Sequence, residues 1–126
     1  MTAIRRAMPV VFTDDPAGSR AFYEDVLGFT AGMDQPGFLM LRSPSVPTTQ
    51  VLLAWADPDV MDPQVHRIDM SIEVEDSGAA HADAVARGLD VVYPLTDEPW
   101  GVRRFFVREP SGRVVNVVTH LADLGT

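Results

Sequence analysis

A chain of 126 residues, 46% hydrophobic and 22% charged, has the length and balance of one globular domain with a sizeable core. The formal charge of −8 and a pI near 4.6 argue against nucleic acid, whose phosphates call for a basic surface, and against anionic membranes. The lack of cysteine excludes disulfides, zinc–thiolate centres and cysteine nucleophiles, and fits a cytoplasmic location.

Arg5 and Arg6 precede the apolar run Ala7 to Phe12, but Pro9 interrupts it. That run is too short for a secretory signal, and no segment approaches a membrane span. Met8 to Phe12 reads as a strand. Thr13, Asp14, Asp15 and Pro16 then supply a helix cap and first turn. The helix is predicted to run to about Leu27, with Ala21, Phe22, Val26 and Leu27 on its apolar face and Gly28 ending it. Strands are predicted at Phe29–Met33, Gly37–Arg42 and Thr49–Trp55. A proline-rich stretch comes next, read as a linker at about 58–65.

His66 to Glu75 alternates, with Ile68, Met70, Ile72 and Val74 on one face and Asp69, Ser71, Glu73 and Glu75 on the other. Asp76 and Ser77 cap a second helix, with Ala80, Ala84 and Val85 inward and Gly88 at its end. Strands are predicted again at Val91–Leu95, Val102–Arg108 and Arg113–His120, the last two joined by a turn at Pro110-Ser111-Gly112. The halves repeat one order: strand, Asp, helix, Gly, three strands. The Asp-to-Gly spacing is 13 positions in the first half and 12 in the second. This suggests a duplicated βαβββ module within a single domain, 1–126, with modules at about 1–57 and 66–126.

In the last strand, Asn116 interrupts the run Val114, Val115, Val117, Val118. Burying an amide without partners costs roughly 2 kcal/mol or more, so Asn116 needs something to face.

The stretches AFYEDVLGF (21–29), IEVEDSGAAHADAVARG (72–88) and FFVREPSGRVVNVV (105–118) resemble the vicinal oxygen chelate superfamily. That group includes glyoxalase I, extradiol dioxygenases and bleomycin resistance proteins. The resemblance implies an α+β fold: two βαβββ modules forming a cup-shaped mixed sheet, helices on the convex side. It implies a ligand inside the cup, often at a homodimer interface, and in many members a divalent metal held by His, Glu or Gln.

Carried over residue by residue, those metal positions fall on Met8, on Leu53 (or Gln50 if the register slips), on Asp69 and on Asn116. Met8 and Leu53 are not useful ligands for such ions, so no metal and no cofactor is expected. His66 falls on the opposite strand face from Asp69, and His81 lies on the helix. His120 shares a face with Asn116, roughly 13 Å along the strand. An improvised site from Asp69, Glu73 and His120 is the metal-dependent alternative.

The same registration points Met8, Val10, Phe12, Asp69, Ser71, Glu73, Val114, Asn116, Val118 and His120 inward. Asp69 and Glu73 could act as acid and base only if burial separated their pKa values; they are expected instead to pair with Arg103, Arg104 or Arg108, or to meet solvent at the cup mouth. Trp55, Trp100, Phe38, Met40 and Phe106 could form an aromatic wall or pack as core. EPWGVRR (98–104) could cover the cup, and Arg103 or Arg104 would suit an anionic or carbonyl-bearing ligand. Which face of Val102–Arg108 points inward stays open.

The expected function is metal-independent binding of a small organic molecule, an antibiotic or metabolite, by a homodimer. Its candidate contacts are Asn116, Asp69, Glu73, Trp100, Trp55, Arg104, His120 and Phe38. The alternatives are a glyoxalase-like lyase or isomerase, a dioxygenase with an atypical metal site, and a regulatory partner domain with an unused cup.

Overall fold

The computed structural model describes residues 2–123. The chain divides into two compact units: Met8–Arg67, and the residues up to Ala7 together with those from Ile68 onward. Each unit is a mixed sheet of strands with a helix on one face, so the α+β reading holds.

The first unit holds the later part of strand β1 (Ile4–Phe12), helix α1 (Pro16–Ala21), and strands β2 (Thr30–Gln35), β3 (Phe38–Arg42) and β4 (Gln50–Ala54). Its sheet order is β2-β3-β4-β1. β1 runs parallel to β4, with Val10 opposite Leu52 and Phe12 opposite Ala54; the other pairs are antiparallel. Asp15 caps α1 by accepting a 3.1 Å hydrogen bond from the Gly18 amide, and Pro16 opens the first turn.

α1 differs from expectation at its end. The helix widens into a π-type turn over Phe22–Val26. An extra residue in the turn rotates the positions after it, so the 3.6-residue pattern loses its face. Phe22, Val26 and Leu27 are exposed. Tyr23 instead packs, with Phe29, against the buried trio Leu39, Leu41 and Leu53. Leu53 therefore belongs to the core beside α1. Alternation puts Gln50, Leu52 and Ala54 on the opposite face, together with Phe38 and Met40.

In the second unit the start of β1 lies beside β5 (Met70–Val74). The Glu75 amide donates to the Ala3 carbonyl at 2.8 Å, and the Asp76 amide to Thr2 Oγ1 at 2.7 Å. α2 (Ser77–Ala86), β6 (Asp90–Glu98), β7 (Val102–Arg108) and β8 (Val114–His120) complete the unit, in sheet order β5-β8-β7-β6. β5 and β8 are parallel; the other pairs are antiparallel. Residues Val65–Arg67 form a 3-10 turn, so the strand expected from His66 starts only at Met70.

α2 packs over β6, β7 and β8. Ser77, His81 and Ala84 face the sheet, while Val85, expected inward, is exposed. Ser77 bonds through both its amide and its hydroxyl: the amide donates to Thr119 Oγ1 at 2.8 Å and the hydroxyl to the Arg103 carbonyl at 3.0 Å. The Thr119 hydroxyl in turn donates to the Val74 carbonyl at 3.0 Å. The His81 ring meets Phe105 edge-on at 5.1 Å. Because α2 covers β6 to β8, Met70 on β5 stays exposed rather than buried under it. Among the described residues no helix is long and apolar enough to cross a membrane.

Candidate functional site

Register decides which side chains share a face. In the second unit Ser71 stands opposite Asn116 and Glu73 opposite Val118. Phe106 stands opposite Asn116, Arg104 opposite Val118, and Val102 opposite His120. These residues form the face away from α2. Phe105 and the Arg103 carbonyl meet α2 instead. Arg104 and Phe106 are thus the residues of β7 that share a surface with Asn116.

Asn116 is only 5% exposed. Its Nδ2 donates to Ser71 Oγ at 2.7 Å, while Oδ1 has no hydrogen-bond partner among the described residues. A buried acceptor left unpaired costs about 1–3 kcal/mol, a cost that a donor on a ligand would relieve.

Glu73 is buried on the same face. Arg6 Nε donates to its Oε2, and His120 Nδ1 lies 3.4 Å from its Oε1. His120 remains half-exposed, and its contact with Glu73 uses only one of its two ring nitrogens. Arg6 is a site residue that the sequence reading does not pick out. The alternation of Met8, Val10 and Phe12, extended two positions back, would put it on their face.

Arg104 is almost completely buried and donates through Nη2 to Glu98 Oε2 at 2.6 Å. Its guanidinium carbon lies 5.4, 5.1 and 5.0 Å from the ring centroids of Tyr93, Trp100 and Phe106. Tyr93 stacks on Phe106 at 4.5 Å and donates its hydroxyl proton to Glu98 at 3.1 Å. The cation is held by a carboxylate and three aromatic faces at once.

Asp69 stands apart from this group. It is exposed, its Oδ2 accepts from the Val114 amide at 2.8 Å, and its own amide donates to the Val114 carbonyl at 2.9 Å. It closes the end of the β5–β8 ladder. Asp69 also lines a cavity of about 640 Å³ with Met70, Glu109, Ser111, Arg113 and Val115. There the Ser111 hydroxyl and neighbouring amides hold the Glu109 carboxyl below the usual range.

The arginines of β7 correct another expectation. They pair across the β6–β7 hairpin, not with Asp69 or Glu73; of the two carboxylates, Asp69 is the one that meets solvent. Arg103 makes two bonds to Asp97, at 2.7 and 3.0 Å, and Arg108 one to Asp90 at 3.2 Å. The Arg103 hydrogen bonds hold the Asp97 carboxyl below its ordinary value. Within EPWGVRR, Pro99-Trp100-Gly101 is the tight turn of this hairpin and the flanking residues belong to β6 and β7, with Gly101 at φ +93° and its amide bonded to the Glu98 carbonyl at 3.0 Å.

The two remaining candidates lie in the first unit. Trp55 packs against the Leu39, Leu41, Leu53 cluster, and Phe38 sits half-buried on the opposite face of β3.

The metal positions implied by the resemblance do not suit a divalent ion. They carry the Met8 thioether, a Leu53 turned into the core, an Asp69 bonded to the Val114 amide, and the Asn116 amide. Gln50 donates its amide nitrogen to the Pro47 carbonyl at 2.9 Å, and its Oε1, buried without a hydrogen-bond partner among the described residues, is a neutral and weak donor for such an ion. Catalytic sites for such ions rest mainly on imidazole and carboxylate donors, which an amide oxygen can supplement but not replace. Among the described residues no three His, Cys, Asp or Glu side chains gather in one place. Of the improvised trio, Glu73 and His120 meet, and Asp69 does not join them.

A sequence profile described as the Glyoxalase/Bleomycin resistance protein/Dioxygenase superfamily matches residues 5–117. No curated protein matches the chain. A superfamily member of that same description from Vibrio splendidus 12B01 is similar in structure, with TM-score 0.68 and 18% identity over 93% of this chain and 99% of its own. Methylmalonyl-CoA epimerase from Mycobacterium tuberculosis gives TM-score 0.65 and 18% identity over 94% and 87%. A mutant of 4-hydroxymandelate synthase from Streptomyces coelicolor gives 0.64 and 11% over 94% and 49%. At these identities the likeness is one of fold. The profile match spans most of the sequence, and on it the chain belongs to the Glyoxalase/Bleomycin resistance protein/Dioxygenase superfamily.

Proposed function

We propose that the protein is a metal-independent binder of a small organic molecule, an antibiotic or metabolite, which it takes on the face of β5, β8 and β7. The observation that carries this reading is the buried Asn116 amide. Ser71 takes one end and nothing among the described residues takes Oδ1. A ligand N–H or O–H would fill that place. Sequestration of this kind requires shape, apolar walls and a few polar anchors, not a metal. Trp100, half-buried in the turn between β6 and β7 and lying against Arg104, supports the reading with apolar surface nearby, while Phe106 is fully buried and packs as core. A thermal-shift screen against cyclic antibiotics and aromatic metabolites tests the proposal. A stabilising hit that is lost in Asn116→Leu, with the apo protein still folded, supports it. A hit that Asn116→Leu leaves unchanged removes Asn116 as the anchor.

A second reading, a lyase- or isomerase-type enzyme, draws on the Glu73–His120 contact at 3.4 Å. A buried carboxylate facing Nδ1 orients an imidazole so that Nε2 can exchange protons with a substrate. Metal analysis separates a metal-dependent version of this reading from the first: about one divalent ion per subunit surviving dialysis would favour the enzyme. We propose further that the protein acts in the cytoplasm as a homodimer, supported by the exposed Phe22, Val26 and Leu27. Light scattering that finds a 13.8 kDa species at micromolar concentration would refute the dimer.

A further inference from the structure

Within the first unit, a cavity of about 360 Å³ opens where the segment after β4 folds back toward the end of β1. Backbone bonds fix that segment: Val60 amide to Asp57 carbonyl at 3.2 Å, Met61 amide to Pro36 carbonyl at 3.4 Å, and Val65 amide to Asp62 carbonyl at 3.2 Å. The volume lies at the small end of the range for specific ligand pockets.

The lining has a definite chemistry. Phe12, the last residue of β1, leaves 54% of its surface exposed, and Trp55 is half-buried. Both line the cavity, with Val60 among the aliphatic side chains. Asp57, Asp62 and His66 line it as well. A backbone amide fixes one oxygen of each carboxylate: Asp57 Oδ1 accepts from the Asp59 amide at 2.8 Å, and Asp62 Oδ1 from the Gln64 amide at 3.0 Å.

Two aromatic rings and two carboxylates around one space select by charge. An anion would meet like charge at Asp57. A neutral apolar molecule would strip water from carboxylates without replacing it. A cation gains from both groups, because aromatic faces and carboxylates each attract positive charge. The net charge of −8 adds a field that draws cations toward the molecule. We propose that this cavity binds a small organic cation, a quaternary or protonated amine. The site uses first-unit residues only and does not depend on the Asn116 reading.

The probe is tetramethylammonium chloride, titrated at pH 8 against an equal concentration of sodium chloride. The readout is the Trp55 indole N–H resonance, with Trp100 as internal reference. The expected result is a saturable Trp55 shift with a dissociation constant of about 1–10 mM. The uncharged near-isostere 2,2-dimethylpropan-1-ol should bind at least about tenfold more weakly, and Asp57→Asn and Phe12→Leu should each weaken the cation about fivefold. Asp57→Asn keeps the oxygen that accepts from the Asp59 amide, so the loop has no reason to move. Asn116→Leu should leave the titration unchanged. No saturable shift below about 100 mM, equal binding of the alcohol, or indifference to Asp57→Asn would each overturn the proposal.

Discussion

Ser71 and Asn116 face each other across the parallel strands β5 and β8, joined by a 2.7 Å hydrogen bond that satisfies only half of the amide. Ser71→Ala should therefore leave the amide wholly unpaired and cost about 1–3 kcal/mol. Adding Asn116→Leu removes the buried amide altogether and should recover much of that loss. Urea unfolding of the two single variants and the double variant closes the cycle. Purely additive losses would show that the hydrogen bond does not couple the two positions.

Arg6 and Glu73 make an unequal pair. Glu73 keeps 9% of its side chain exposed and Arg6 25%. Arg6→Met strands a buried carboxylate, with His120 as its remaining partner, and should cost about 3 kcal/mol. Glu73→Gln leaves a guanidinium that can turn toward water and should cost about 1 kcal/mol. Denaturation midpoints of the two variants, measured at equal slope, test that order.

Asp97 and Arg103 set a pH dependence at the outer hairpin. Hydrogen bonding from Arg103 lowers the Asp97 pKa below the unfolded value, so the folded state favours the carboxylate. The resulting stabilisation is complete above the ordinary carboxyl range and disappears as pH falls through the folded pKa. A carbon-detected titration should find the Asp97 midpoint below that of an exposed aspartate. In Arg103→Gln it should return upward. Because both groups are exposed to solvent, added salt should shrink the shift.

Gly37 adopts φ +77°, and a Cβ there would fall 2.6 Å from Val60 Cγ2 and 3.2 Å from the Trp55 carbonyl. Gly37→Ala meets backbone strain and a steric clash together and should cost about 2–4 kcal/mol. Gly112 is also at positive φ, +96°, but has open space around its Cβ position. Gly112→Ala should cost only the strain, about 1–2 kcal/mol. Thermal melts of the two variants give the comparison.

Much of this architecture is legible in the sequence because it rests on period and punctuation. The Asp caps, the glycine stops and the period-two alternation from Ile68 to Val74 announce the βαβββ order and the face that carries Ser71 and Glu73. Tertiary geometry sets the features that escape. The π-type turn at Phe22–Val26 obeys no local rule and exchanges one buried face for another. Arg103 and Arg104 are identical neighbours in sequence, and only the β7–β8 register sends one to solvent beside Asp97 and the other among three rings. Glu98 and Tyr93 enter the site through a β6 whose register shifts near Pro94, which no alternation count would anticipate. Asn116 is visible as an oddity, but its half-satisfied state depends on Ser71, 45 positions earlier.

The strand β1 has a consequence for how the chain is made. Its first residues lie beside β5, and its later residues pair with β4. During synthesis, Val10 and Phe12 have their partners as soon as Leu52 and Ala54 emerge. Ala3 and Arg6 must wait for Glu75 and Glu73, and β5 in turn stays open on its other side until β8 is complete. The first residues of β1 are thus made before their partners on β5 and are among the last of these strands to find their place. Closing such distant pairs is slow, and it leaves bare strand edges in the meantime. A nascent chain stalled before Val114 should show a protease-resistant first unit next to a sensitive stretch around Ala3 to Arg6.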